Sequence, residues 1–479
     1  MDNQQKVGTN RRGFLKTAAA GGVAAVASAG AVNALFPAVA PETMSFEANR
    51  SFWSDALLPA GPPLQRNTET DIAIIGGGLT GLSAGFYLKE TAPDRRVVLL
   101  EAARCGNGAS ARNGAMLLTS TEDSYMEWSG NPALDKRIYE LTVDNSQRLA
   151  ALASRFGVDA EVELSGALQM CNTPELARVA NEYVQKARGA GLPYEYWDRR
   201  KIAEVIGTDA YPGATYDPNS GQAHPGKLVA LFKTAAESNG VEIYENTPVV
   251  QIEEGERFSL RTANGQRVHA RILVLAANAY SSKLGYLRSA TAPVFDYVAM
   301  TAPLSDSRLR EIGWKRRIPF NDSRTEVYYL GLTRDNRIHI GGGPVDYVFN
   351  NGLKEPPGSR KRFAGLHEEL VKIFPESADL PFERTWSGAV DMSLDSRPAV
   401  GFLGGNRNLL YAIGFSGHGL NLTSVFGRIL ADLANGRSEE WSWFPYFNRK
   451  PYYIPNEPFR WLGVQAALGY YRASDPQTP

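Results

Sequence analysis

Gly76, Gly77, Gly78 and Gly81 share a spacing that lets the main chain approach a phosphate group more closely than any Cβ would allow. Gly76 permits a tight turn, Gly78 opens the backbone to a pyrophosphate, and Gly81 lets a helix pack hard against the strand before it. Leu79 and Thr80 fall at the start of that helix, where unpaired N–H groups and the helix dipole attract negative charge. Glu101 lies 20 residues after Gly81, followed by Ala102. An acidic side chain at that distance, closing a second strand, accepts hydrogen bonds from ribose hydroxyls. The chemistry implied is dinucleotide binding.

The elements that must position these residues are legible around them. Residues 71–75 form a short β-branched run, 82–89 follow a helical pattern, and 96–100 form a second apolar run ending at Glu101. Beyond it comes a glycine-rich loop carrying Ser110, Arg112, Asn113 and Gly114, which a plain NAD domain does not need. Residues 272–275 read as a buried strand leading into Ala276 and Ala277. Residues 409–413 read as another, leading into Gly414, Gly417, His418, Gly419 and Leu420 and then a helical pattern through Leu433. Glycines before a helix start again mark close backbone approach, here to a flavin ring, so the expected cofactor is FAD.

Composition narrows the field further. A chain of 479 residues predicts two interleaved domains rather than one core. Zero formal net charge removes the electrostatic footprint needed to bind a phosphate backbone, which argues against nucleic acid as a partner. Cys105 and Cys171 are the two cysteines, with no CxxC or Cys/His cluster, so no metal site or disulfide framework is expected. Cys105 lies close to the flavin loop, where a thioether to the cofactor is conceivable, but a buried cysteine usually behaves as a small hydrophobe.

Trp386, Gly388, Asp391, Asp395, Arg397, Pro398 and Gly401, taken with the glycine motifs and with Gln222, His224 and Pro225, resemble the D-amino-acid oxidase superfamily of flavoproteins, nearest its γ-glutamylputrescine oxidase branch. The resemblance runs in motif order over residues 68–470. It implies an α/β fold with a discontinuous Rossmann-like FAD-binding domain and a second α+β substrate domain on a mixed sheet. It also implies that Val249 or Val250 meets the adenine and that Ala276 and Ala277 pass the pyrophosphate. Ser110 to Gly114 and Gly417 to Leu420 would then surround the isoalloxazine. Ala115 stands where relatives commonly continue with glycine.

The cofactor motifs place the FAD-binding domain in blocks 68–120, 215–285 and 380–437, with the substrate domain in 121–214 and 286–379. A 41–67 extension precedes them and a 438–479 tail follows, expected to pack on the core. Residues 161–170 and 326–342 read as strands, the latter as a hairpin turning at Asp335 and Asn336; residues 175–189 and 359–373 read as helices. A roof sheet over the flavin would hold a small amine. The expected reaction is oxidation of the carbon bearing that amine by hydride transfer to flavin N5, with oxygen or a quinone-type acceptor taking the electrons. Candidate substrate residues are Tyr328, Tyr329 and Arg324 near the hairpin, Arg397 beside the flavin segment and His418 in the last glycine loop. Each has a plainer role available: packing for the tyrosines, carboxylate pairing for the arginines and flavin lining for the histidine. A hydroxy-acid dehydrogenase and an electron-transfer subunit stand as alternatives, the second opposed by the size of the substrate domain.

Arg11 and Arg12 precede an uncharged Ala/Gly/Val-rich stretch over residues 17–41, a twin-arginine export pattern. Residues 1–40 are accordingly expected to send the protein to the periplasm. They would be cut near Ala38-Val39-Ala40 or Ala27-Ser28-Ala29, or kept as a membrane anchor facing that compartment.

Overall fold

The computed structural model describes residues 50–119 and 131–476. The expected export segment, residues 1–40, lies outside them. Among the described residues no helix is long and apolar enough to cross a membrane.

The first sheet grows from the fingerprint strand. Thr68–Ile75 pairs in parallel with Val97–Leu100 on one side and Arg267–Leu275 on the other. Glu242–Tyr244 and Leu409–Ile413 extend it in parallel outward, and Ala399–Phe402 closes one edge antiparallel. A hairpin of Val249–Glu253 and Phe258–Thr262 pairs with the lower half of Arg267–Leu275. Both faces of the sheet are buried, so its inner strands read as continuous apolar runs. Ile72, Ile74, Val97 and Leu99 face a helical layer with Leu82, Phe86 and Phe232, while Ala73, Ile75, Val98 and Leu100 face Leu260 and Val268 on the other side. Helix Leu79–Thr91 lies between Pro225–Ser238 and Gly419–Ala434.

The second sheet is antiparallel except where Phe320–Asp322 runs parallel to Ala167–Cys171. Its long strand Ala292–Thr301 shows how the sheet divides its faces. Phe295, Tyr297 and Ala299 pack with Leu366 and Leu370 of helix Ser359–Ile373, whereas Val294, Asp296 and Val298 turn to the opposite side, toward the cofactor layer.

The mixed α/β architecture and the helices over 174–189 and 359–373 agree with the sequence reading. Other pieces differ. Strand Phe382–Met392, expected within the 380–437 cofactor block, runs beside Ala292–Thr301 in the roof sheet, where cross-strand pairing decides its allegiance. Strand Gly213–Asp217 also belongs to the roof, across the expected boundary at 215. Helix Pro132–Phe156, expected in the substrate domain, packs on Gly419–Ala434 and Pro225–Ser238 in the cofactor layer. The strand expected over 161–170 is confined to Ala167–Cys171, because Gly166 takes a left-handed φ of 87° that breaks the extended run just before it.

Candidate functional site

A large cavity of about 1540 Å³ runs between the carboxyl ends of the parallel strands and the inner face of the roof. Drug-sized pockets occupy about 300–1,000 Å³, so this one has room for a dinucleotide and a further small molecule. Gly76, Gly78, Leu79, Thr80, Glu101, Ala102, Ser110, Arg112, Asn113, Gly114, Val249, Val250, Ala276, Ala277, Gly417, His418, Gly419 and Leu420 all line it. Of the expected cofactor residues, Gly81 and Gly414 stand behind the wall. A Cβ on Gly81 would overlap the Gly76 carbonyl oxygen, and the Gly414 amide donates to Asp391 Oδ2 at 2.7 Å.

The fingerprint region is locked by local bonds. Gly76 has a φ of 111°, open to glycine and costly for other residues. Glu101 Oε2 accepts from the Gly77 amide at 2.6 Å and Oε1 from the Ala103 amide at 3.0 Å; burial pushes its carboxyl pKa up while these amides oppose the shift. Ser110 Oγ accepts from the Leu79 amide at 2.9 Å, and a Cβ on Gly78 would come within 2.9 Å of that hydroxyl. The loop after it is held from outside. Four successive carbonyls, those of Ala111, Arg112, Asn113 and Gly114, accept from Ser51 Oγ, Trp386 Nε1, Trp53 Nε1 and His339 Nε2 respectively. His339 must carry its proton on Nε2 to donate, and burial lowers its pKa to about 4, so the ring is neutral. Ala115, next in the chain, holds a φ of 60°, the conformation that glycine at this position would take without strain.

FAD fits these residues. The cradle of Gly76 and Gly78 at a helix N-terminus suits a pyrophosphate, and the Glu101 carboxylate lining the cavity suits a ribose. Asn278 Oδ1 and Thr423 Oγ1, both on lining residues, are buried without a hydrogen-bond partner among the described residues, which buried polar atoms seldom tolerate unless a ligand completes them. Cys105 is buried behind the wall and is not among the lining residues. Burial raises its pKa, so it remains an inert thiol rather than an attachment point.

The five candidate substrate residues separate. Tyr329 and His418 line the cavity; Tyr328, Arg324 and Arg397 do not. Tyr329 is clasped between Gly114 and Gly341, and its hydroxyl donates to Asp296 Oδ2 at 2.7 Å. Burial and that carboxylate raise the phenol pKa well above its usual value, so it stays a donor. Tyr328 lies on the other face of its strand, with the Arg324 guanidinium 4.1 Å from its ring centre. Arg324 itself is buried between Asp322 and Glu369, an interior ion cluster under helix Ser359–Ile373. The Arg397 carbonyl accepts from Ser393 Oγ at 2.9 Å and Arg449 Nη1 at 3.0 Å. Replacing Arg324 with Leu strands two buried carboxylates and should cost about 3–5 kcal/mol of stability. The FAD content and KM of the surviving folded enzyme should not change; thermal melting with flavin absorbance and steady-state rates checks both.

Sequence reasoning gave no site role to Asp296, Asn278, Thr423 or the helix Phe459–Ser474, whose Phe459, Gly463, Val464, Ala467 and Tyr471 close one side of the cavity. No local pattern marked them, since their roles come from tertiary placement alone.

Residues 71–433 match the model of the FAD dependent oxidoreductase family, DAO. This chain belongs to that family. It is 30% identical over 398 residues to the gamma-glutamylputrescine oxidoreductase of Escherichia coli, covering 81% of this chain and 88% of that one. It is 24% identical to the glycine oxidase of Geobacillus kaustophilus, covering 78% of this chain and 96% of the relative. The crystal structure of that glycine oxidase superposes with a TM-score of 0.68 over 80% of this chain and 99% of its own. The L-proline dehydrogenase of P. horikoshii superposes with a TM-score of 0.65 at 19% identity, over 77% of this chain and 94% of its own. The protein is therefore an FAD-dependent enzyme of the amine and amino-acid oxidase type.

Proposed function

We propose that the enzyme oxidises the carbon next to an amine in a polyamine derivative or an amino acid, leaving an imine that hydrolyses to a carbonyl compound and ammonia or a smaller amine. The single observation that carries this reading is the continuity of the cavity from the FAD cradle to the roof residues Tyr329 and Asp296. The relative from Escherichia coli, named for γ-glutamylputrescine, favours the polyamine side. FAD, when bound, supplies the hydride acceptor at N5.

The chain's own residues bind, orient and exclude water. Gly76, Gly78, Leu79, Thr80, Ala276 and Ala277 would hold the pyrophosphate, Glu101 the ribose, and Val249 or Val250 the adenine. Ser110, Arg112, Asn113 and Gly114 with Gly417, His418, Gly419 and Leu420 enclose the ring end. Tyr329 fixes the roof carboxylate, and Val294, Val298 and Val390 supply apolar wall against the substrate. Either oxygen or a quinone-type acceptor completes turnover.

We further propose that Arg11 and Arg12 direct twin-arginine export, a route that carries proteins already folded around a cofactor. Changing both to Lys should retain an FAD-loaded precursor in the cytoplasm, and its appearance in the periplasm at the unmodified level would refute export by this route. The catalytic reading is tested by turnover on polyamine derivatives, N-methyl amino acids and D- and L-amino acids, with oxygen or a quinone analogue, scoring carbonyl product and released amine. Failure of every amine, with turnover of a 2-hydroxy acid, would replace it.

A further inference from the structure

The roof side of the cavity carries charge of one sign. Three carboxylates line it, Asp296 on strand Ala292–Thr301, Glu326 just before strand Tyr328–Leu332 and Asp391 on strand Phe382–Met392. Among the described lining residues, the roof sheet contributes no lysine or arginine. The cations that do line the cavity come from other elements, and each donates to main-chain carbonyls. Arg112 bonds to those of Asn107 and Ser387, Lys283 to that of Asn350, and Arg460 to those of Pro455 and Ile454.

The three carboxylates differ in their compensation: Asp391 Oδ2 accepts from the Gly414 amide at 2.7 Å, which ties it to the last glycine loop. Glu326 has Arg472 Nε at 3.4 Å and the Val345 amide at 3.1 Å. Asp296 has neutral donors: the Tyr329 hydroxyl at 2.7 Å, the Tyr297 amide at 2.8 Å and the Gly342 amide, with no cation in ion-pair range among the described residues. A carboxylate taken out of bulk water without a counter-charge is unfavourable, and proteins normally pair it. Burial accordingly raises its pKa to about 6, which still leaves it mainly ionised at neutral pH. Around it, Val294, Val298, Val345 and Val390 make an apolar wall suited to a methylene chain.

We infer that Asp296 binds the substrate's amine as an ammonium ion and accepts the N–H proton that must leave before hydride departs from the neighbouring carbon, and that the substrate bears no carboxylate on that carbon. A carboxylate there would face three carboxylates of like charge and find no roof cation to receive it. Tyr329 is a positioning residue that aims Asp296. This assignment rests on the amine-oxidation reading and deepens it from amines in general to cationic alkylamines.

The experiment titrates the flavin spectrum of the holoenzyme with tert-butylammonium, whose nitrogen-bearing carbon has no hydrogen to lose, and separately with acetate. The wild type should show a saturable change with the cation and none with acetate at the same concentrations. Asp296→Asn should weaken the cation response and raise KM for an oxidisable alkylamine, each by at least about tenfold. Glycine and D-alanine should be used far less well than the alkylamine. Unchanged cation binding in Asp296→Asn, absence of any response in the wild type, acetate binding as tight as the cation, or glycine turned over as well as the alkylamine would each overturn the assignment. If Asp296→Asn fails to fold with FAD, the two wild-type titrations still decide between cation and anion. If no amine reduces the flavin, the oxidation reading fails while the titrations still judge the cation site.

Discussion

Gly81→Ala should strip the enzyme of FAD. A methyl group at this position overlaps the Gly76 carbonyl oxygen, which is backbone and cannot rotate away, and it also meets Ile74 Cγ2 at 3.3 Å. Helix Leu79–Thr91 must then lift off the strand, and its N-terminus, where Leu79 and Thr80 line the cavity, moves with it. Overpacking in well-packed interiors costs about 1–3 kcal/mol and more where backbone must shift. The expected loss here is at the upper end, about 4 kcal/mol, with flavin occupancy below about a tenth of wild type. The control is Gly85→Ala, one turn further on in the same helix. There a Cβ would meet Val241 methyls at 3.4 Å, an ordinary contact, and flavin should be retained. The ratio of visible flavin to protein absorbance after gel filtration, with a melting curve, reads both; equal occupancy in the two variants would contradict the role given to Gly81.

Lys233→Met should be the other severe change, although the side chain touches no part of the cavity wall. Lys233 Nζ and Glu245 Oε2 form an ion pair at 2.5 Å, with side chains 5% and 0% exposed. Glu245 also accepts from the amides of Cys105 and Gly61, so one carboxylate ties the flavin-loop stem and the N-terminal extension to strand Glu242–Tyr244. Removing the lysine leaves a buried negative charge without its counter-ion, a loss of about 3–5 kcal/mol. Adding Glu245→Gln removes the charge and keeps an acceptor for one of the two amides, so it should recover part of the loss. Burial on its own would raise the Glu245 pKa, but the hydrogen bond from Lys233 and the two amides outweigh it and hold the pKa low. A depressed carboxylate pKa contributes stability that is present above the unfolded value, about 4.3, and is lost as pH falls through the folded value. The melting temperature of the wild type should therefore fall with acidification below about 4.3 more steeply than that of the double variant.

What the sequence disclosed follows from how local each signal is. The turn from Gly76 to Gly81 and the acid at Glu101 were legible because strand, glycines, helix and second strand follow one another within a short stretch of chain. Val249, Val250, Ala276 and Ala277 were reached through resemblance, and they line the cavity. For Arg324 the pairing with Asp322 was available from the sequence as its plainer role, whereas Glu369, 45 residues away, was not. Asp296 was hidden because strand Ala292–Thr301 is buried on nearly every residue, so no alternation marked the side facing the cavity. The terminal helix Phe459–Ser474 read as a tail on the core, and only its docking beside the roof shows that Val464 and Ala467 belong to the cavity wall. Likewise Trp53 and His339 gain meaning as donors to the flavin-loop carbonyls once three distant segments meet.

The most direct test of FAD-dependent amine oxidation is to exclude oxygen, add an alkylamine or polyamine derivative to the purified holoenzyme, and follow the flavin absorbance. The visible flavin bands should bleach on mixing and return when an electron acceptor is admitted. A bound flavin that no amine reduces would contradict the proposed reaction while leaving the family and fold in place.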